Sequence, residues 1–248
     1  MSVRVVRYVE RPELWEDADA VSSAVWPEYN RHGDVLNRYW GRLVEDFPEF
    51  QFALCDEQDE VLAEGHTIPC AWDGTSEGLG DGIDAMIAAA FELRNADSKP
   101  TALGALAAEI LPSFQGRGLA DRVLEAMADL ARGAGLSNLL APVRPTFKDR
   151  YPITPIERYV TWTLDNGEPF DPWIRVHVRR GARIVRPIPN SMLITGTIAE
   201  WEQWTDMRFP DDGQYTFPAG LAPIVIDHRR DLGTYWEPNV WIIHSLDE

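Results

Sequence analysis

"ILPSFQGRGLADRVLEAM", residues 110–127, runs from an apolar β-like end through a glycine-bearing loop into an amphipathic helix. Just upstream, "TALGALAAEIL" (101–111) is helix-prone by its Ala and Leu content. Gly104 inside it, Pro112 at its end and a well-patterned helix starting soon after favour a buried strand that feeds a loop. Downstream, Leu119, Val123, Met127, Leu130 and Ala134 share one helical face, and the pattern stops at Gly133 to Gly135. A helix start pinned to a core presents unpaired backbone N–H groups and the positive end of a macrodipole. Gly116 and Gly118 remove side chains that would screen those groups, so a pyrophosphate can come close. The loop is suited to an anion.

Working outward, "VRVVRYV" (3–9) reads as a strand and Pro12 opens a helix. Asp34 is a candidate N-cap for a second helix that buries Leu36, Trp40, Leu43 and Phe47. "FQFALCDEQDEVLAEGHTIPCAW" (50–72) reads as an antiparallel hairpin turning at Asp56 to Asp59. The segment 73–100 reads as an insertion: a flexible, glycine-rich linker, "DGTSEGLGDG" (73–82), then a helix from about Ile83 to Leu93. Its Gly78, Gly80 and Gly82 have the wrong spacing for a dinucleotide fingerprint and do not directly follow a strand.

Gln115, Gly116, Arg117, Gly118, Leu119 and Ala120 fit the Q/R-x-x-G-x-G/A signature, and the chain resembles the GNAT superfamily of acyl-CoA-dependent N-acyltransferases. Ile110, Leu111 and Pro112 resemble that family's strand end, and the order of strand, two helices, hairpin, strand and helix is similar too. The resemblance implies an α+β fold with a mixed, mostly antiparallel sheet flanked by helices. It assigns residues 1–196 to a GNAT-like domain with insertions at 73–100 and 146–170, each either shaping an acceptor pocket or forming a surface excursion. Residues 197–248 read as a C-terminal extension: a helix opened by the capping box Thr197 and Glu200, then a β-hairpin. That hairpin covers an edge of the main sheet or meets a second subunit in a homodimer.

The resemblance further implies that acetyl-CoA, or another acyl-CoA, is the donor. Its pantetheine arm would lie between two splayed strands and pair with the backbone around Glu109, Ile110 and Leu111. One N–H there would stabilise the tetrahedral oxyanion, and the loop from Gln115 to Ala120 would hold the diphosphate. In "WIRVHVRRGARIV" (173–185) the family's acid, a tyrosine four residues before a glycine, is replaced by His177. Histidine suits proton transfer near neutrality, and a structural histidine is the other reading. Glu109, a carboxylate in an apolar strand, is either the general base or a pocket-lining, ion-paired glutamate. Arg117 is the stronger phosphate candidate; Arg175, Arg179, Arg180, Arg183 and Arg186 either meet the 3′-phosphate or stitch acidic surface together, and Arg144, Lys148 and Arg150 are weaker hints.

The expected activity is direct attack of a small-molecule or peptide amine on the bound thioester through a ternary complex. The alternatives are a non-catalytic acyl-CoA-binding module, or a hydrolase or O-acyltransferase on the same scaffold. A formal charge of −17 repels phosphate backbones and anionic lipid, so neither nucleic acid nor membrane is an expected partner. The N-terminus lacks the apolar core of a signal peptide, which reads as cytoplasmic. Cys55 and Cys70 are too few and too isolated for a disulfide framework, and the histidines nowhere fall at ligand spacing, so no metal is expected.

Overall fold

The computed structural model describes residues 2–246, without the side chains of 16–19. The strands are β1 (Arg4–Arg7), β2 (Gln51–Cys55), β3 (Val61–Cys70), β4 (Ala102–Ile110), β5 (Asn138–Val143), β6 (Arg183–Gly196), β7 (Gly213–Tyr215), β8 (Ile224–Asp227) and β9 (Leu232–Ser245). Between them lie α1 (Trp15–Val25), α2 (Leu36–Trp40), α3 (Leu43–Asp46), α4 (Ile83–Asn95), α5 (Leu119–Gly133), α6 (Ile156–Tyr159), α7 (Pro172–Arg179) and α8 (Ile198–Thr205). The sheet order is β1-β2-β3-β4-β5-β9-β8-β7, with β6 on the other edge of β9. Every pairing is antiparallel except β4–β5. This is the α+β, mostly antiparallel architecture that the family resemblance implied.

Two apolar layers hold the helices to the sheet. On one face α5 inserts Leu119, Val123, Met127 and Ala131, spaced at intervals of four, against Phe52, Leu62, Leu103 and Leu139. On the other, Ile87 and Phe91 of α4 and Trp201 of α8 pack with Ile68, Leu140, Trp241 and Ile243. Each such buried side chain contributes about 1.5–3 kcal/mol.

Four readings of the sequence change. The segment 73–82 is pinned: Arg186 and the Trp241 indole both donate to the Gly80 carbonyl, and a Cβ on Gly82 would lie 2.5 Å from Ser191 Cα. The helix that follows is part of the core, with Ile87 and Phe91 fully enclosed. Asp34 caps no helix. Its carboxylate accepts from the Thr195 N–H and hydroxyl instead, tying the entry of α2 to β6, and the expected long helix breaks at Gly41–Arg42. The largest change concerns the C-terminal segment. β9 is interior, with β6 along one edge and β5 followed by β8 along the other. Its alternating large residues pair across both neighbours, which is why it belongs to the core of the sheet rather than to an addition at its rim. The capping box of Thr197 and Glu200 forms as read, and Trp201 donates to the Gly233 carbonyl of β9.

Candidate active site

The parallel pair β4–β5 is joined at only two positions, Leu103 opposite Leu139 and Gly104 opposite Leu140. Beyond them the strands part. β4 carries an extra residue at this point: His66 faces Ala107 and Thr67 faces Ala105, leaving Leu106 as a bulge that turns the strand away. The opening is a cavity of about 740 Å³ lined by Ala105 to Ile110 on one side and Ala141 to Val143 on the other.

At one end of the cavity stands the glycine loop. Gly118 holds φ +79° as the residue before α5, Gly116 holds φ +73°, and no side chain caps the helix. Nothing lies within 4 Å of a Cβ built on either glycine, so no side chain crowds the entry to α5. Gln115 and Ala120 line the cavity, and the Gln115 amide donates back to the Ile110 carbonyl. Leu119 turns into the core and sets the helix axis, while Arg117 is exposed over the Phe114 ring. Ile110 lines the cavity, and Leu111 continues the strand by donating its N–H to Leu62.

His177 lies inside. It comes from α7, whose start is fixed by Asp171: one carboxylate oxygen accepts from the amides of Trp173 and Ile174, the other from the Phe147 amide and the Tyr159 hydroxyl. Asp171 thereby clamps the 146–170 insertion to this helix. His177 Nδ1 is 2.8 Å from His244 Nε2 on β9, and its Nε2, buried at the cavity wall, has no partner. Burial pushes the His177 pKa well below the ordinary histidine value, and the charges of His244 and Arg180 push the same way. His244 falls to about 4, from burial and from Arg180. Both rings are therefore neutral near pH 7.

On the opposite wall Glu109 of β4 is fully buried. It accepts from the Trp26 indole through Oε1 and leaves Oε2 unpartnered. Directly across the β3–β4 ladder stands Glu64, held at Oε1 by the Tyr8 hydroxyl at 2.7 Å, with its Oε2 also unpartnered. His66, two residues on and on the same face, lies between them: Nε2 is 3.6 Å from Glu64 Oε2 and 4.0 Å from Glu109 Oε2. Its other nitrogen faces Gln51 Oε1 at 3.2 Å, and Gln51 spends its amide hydrogens on the carbonyls of Phe47 and Thr67. Gln51 can only accept, so Nδ1 carries a hydrogen and Nε2 is the atom turned to the carboxylates. Burial drives the Glu109 pKa up, offset in part by the His66 charge and the Trp26 bond.

Trp15, Trp26 and Trp40 line the cavity as well, as do Asn30, Arg144, Glu237 and Asn239. Arg144 there is engaged by Glu237, by the Tyr29 hydroxyl and by the Ala219 carbonyl. It is a structural cation, as are most of the arginines noted in the sequence. Arg179 pairs with Glu168, Arg180 with Asp121, and Arg175 donates to the carbonyls of Pro169 and Phe170. Lys148 is buried on the carbonyls of Tyr151 and Leu221.

A strand pair parted beside an uncapped, glycine-started helix, with a carboxylate and a histidine lining the gap, is the arrangement that the family resemblance implied. No family model matches the chain. A curated relative, arginine N-acetyltransferase avaD of Aspergillus versicolor, is 30% identical over 268 residues, spanning 95% of this chain and 91% of that protein. The fold matches the loading GNATL domain of CurA from Lyngbya majuscula, with a TM-score of 0.64, 19% identity and 99% and 98% of the two chains covered. It also matches the GphF GNAT-like decarboxylase in complex with isobutyryl-CoA, with a TM-score of 0.62, 19% identity and 99% and 100% covered. The chain belongs to the GNAT superfamily of N-acetyltransferases. It is an enzyme that transfers an acyl group to an amine. No helix among the described residues is long and apolar enough to cross a membrane.

Of the residues singled out in the sequence, the structure brings Glu109, Ile110, Gln115, Ala120 and His177 to one cavity. Leu111, Gly116, Arg117, Gly118 and Leu119 lie along its rim or behind it. Sequence reasoning missed Glu64, His66, Trp26 and His244. Glu64 and His66 had left a signal, two polar side chains at a spacing of two in an otherwise apolar strand, which places them on one face.

Proposed function

We propose that the enzyme transfers an acetyl group from acetyl-CoA to a primary amine of a small basic acceptor of the arginine kind. The observation that carries the reading is the unpartnered Glu109 Oε2, buried in a tryptophan-walled cavity beside the parted strands. A cationic acceptor gains there from the indole faces and from the local negative charge. The relative that acts on arginine supports the same choice.

In this reading the loop amides from Gln115 to Ala120 hold the diphosphate, and the pantetheine arm runs along β4 at Ile110 and Leu111, displacing the Gln115 side chain from the Ile110 carbonyl and leaving the Leu111 N–H on Leu62. Glu109 Oε2 takes a proton from the acceptor ammonium. The freed nitrogen attacks the thioester carbonyl, a C–N bond forms, and a β4 backbone N–H stabilises the oxyanion. The C–S bond then breaks: the remaining proton on the former amine nitrogen passes to the departing thiolate, which the neutral His177 Nε2–H steadies by a hydrogen bond. His177 holds that hydrogen on Nε2 when Nδ1 accepts from His244. Two free, buried thiols suit work in a reducing cytoplasm.

The test is incubation with acetyl-CoA or isobutyryl-CoA and a panel of arginine, agmatine, lysine, citrulline and phenylalanine, with products identified by mass spectrometry. Acetyl-arginine is the expected main product. Equal rates for citrulline and arginine, or a preference for the bulkier acyl group, would overturn the assignment.

A further inference from the structure

We propose that Glu64, His66 and Glu109 form a binding site for a divalent first-row transition ion of the Zn²⁺ kind. The donor atoms are Glu64 Oε2, His66 Nε2 and Glu109 Oε2, which all lie within 4.8 Å of one another. Both oxygens are buried and unpartnered, and the three residues are almost wholly inaccessible.

The separations leave room for an ion among the three donors. At 3.6 and 4.0 Å, both His66 contacts exceed the reach of a hydrogen bond. Donors each about 2.0–2.2 Å from a shared ion stand about 3 to 4 Å apart, which matches the observed spacing after a slight rotation of one carboxylate.

Each ligand is also held from behind. Tyr8 donates to Glu64 Oε1, the Trp26 indole to Glu109 Oε1, and His66 donates its Nδ1–H to Gln51. Every outer bond therefore occupies the atom that does not face the centre. A partner on the second ring nitrogen and on the second carboxylate oxygen is how proteins fix a metal ligand's orientation and tautomer. His66 and Glu109 line the cavity, which supplies the entry path. Mixed nitrogen and oxygen donors without thiolate suit Zn²⁺, Co²⁺ or Mn²⁺, with Zn²⁺ favoured among these by intrinsic affinity.

The ion would occupy the oxygen assigned above to proton removal, so binding and turnover exclude one another. This inhibition rests on the proposed role of Glu109; the binding does not.

Co²⁺ is the probe, because its visible d–d bands report protein ligation whether or not any acceptor is turned over. One equivalent should produce a band that Zn²⁺ displaces. The Glu64→Gln enzyme should lose the band, and Tyr8→Phe, which keeps all three ligands, should weaken binding by about tenfold. Zn²⁺ should suppress acetylation competitively with the amine and not with acetyl-CoA, read as acetylated product so that metal capture by free CoA thiol does not interfere. The turnover that Glu64→Gln retains should be insensitive to Zn²⁺. Absence of a Co²⁺ band in the folded wild-type enzyme, or an unchanged band in both variants, overturns the site. A band without inhibition leaves the site standing and removes Glu109 from its catalytic role.

Discussion

His177 on α7 and His244 on β9 meet ring to ring, with Nδ1 of the first 2.8 Å from Nε2 of the second. The two residues are far apart in the chain, and the contact exists because β9 lies inside the sheet beside β5. It gives His177 a fixed orientation at the cavity wall.

The pair predicts a particular acid sensitivity. Both rings have folded pKa values below the unfolded value of about 6.5. The native state binds fewer protons than the unfolded chain in that window, so stability is full above about pH 6.5 and is lost as pH falls toward about 4. For His244 alone the loss is on the order of 3 kcal/mol. His244→Phe should be less stable than wild type at pH 7.5, because His177 Nδ1 loses its partner, but should fall less steeply between pH 6.5 and 4. Thermal melts across that range check it; parallel curves for the two proteins would count against the pair.

Glu109→Gln keeps an oxygen for the Trp26 indole and removes the proton acceptor. Single-turnover acetylation should slow by about 10²- to 10⁴-fold. Calorimetry should find acetyl-CoA affinity unchanged, since the loop and the β4 backbone are untouched.

Gly118→Ala separates backbone conformation from bulk. There is room for the methyl group, yet the residue must hold φ +79°. The strain costs about 1–2 kcal/mol and should be relieved by turning the first α5 amides off axis. Acetyl-CoA affinity is expected to drop by about tenfold while the acceptor KM stays put, as steady-state kinetics against each substrate would show.

Gly233→Ala tests the interior place of β9. The added methyl would sit 2.3 Å from the Trp201 ring, which already bonds to the carbonyl of the same residue. Overpacking of this kind costs about 1–3 kcal/mol, read as a shift in urea midpoint. An unchanged midpoint would mean that the strand is peripheral.

What could be read in the sequence was local. The loop from Gln115 to Ala120 announced itself because strand end, glycines and helix start are contiguous, and the helical face of α5 follows from its spacing alone. Glu109 and His177 were within reach for the same reason, each being odd within its own segment. The place of β9 was not, because pairing between segments so far apart leaves no mark on either. The trio around His66 was divided between two strands, so no spacing rule for ligands could expose it. The Arg175 to Arg186 run left two readings open in the sequence, and Arg179 with Glu168 takes the one in which positive charge in an acidic protein is spent on neighbours.

The placement of β9 also bears on biogenesis. β5 and β6 are both synthesised before the strand that joins them, so a growing polypeptide must keep those two edges apart and unsatisfied while α8, β7 and β8 emerge. Closure of the sheet is thus a late, long-range event, and the wall of the donor gap behind β5 is completed only then. Conditions that slow elongation through this region should raise the demand for chaperones, whereas slowing it earlier, before β5, should not.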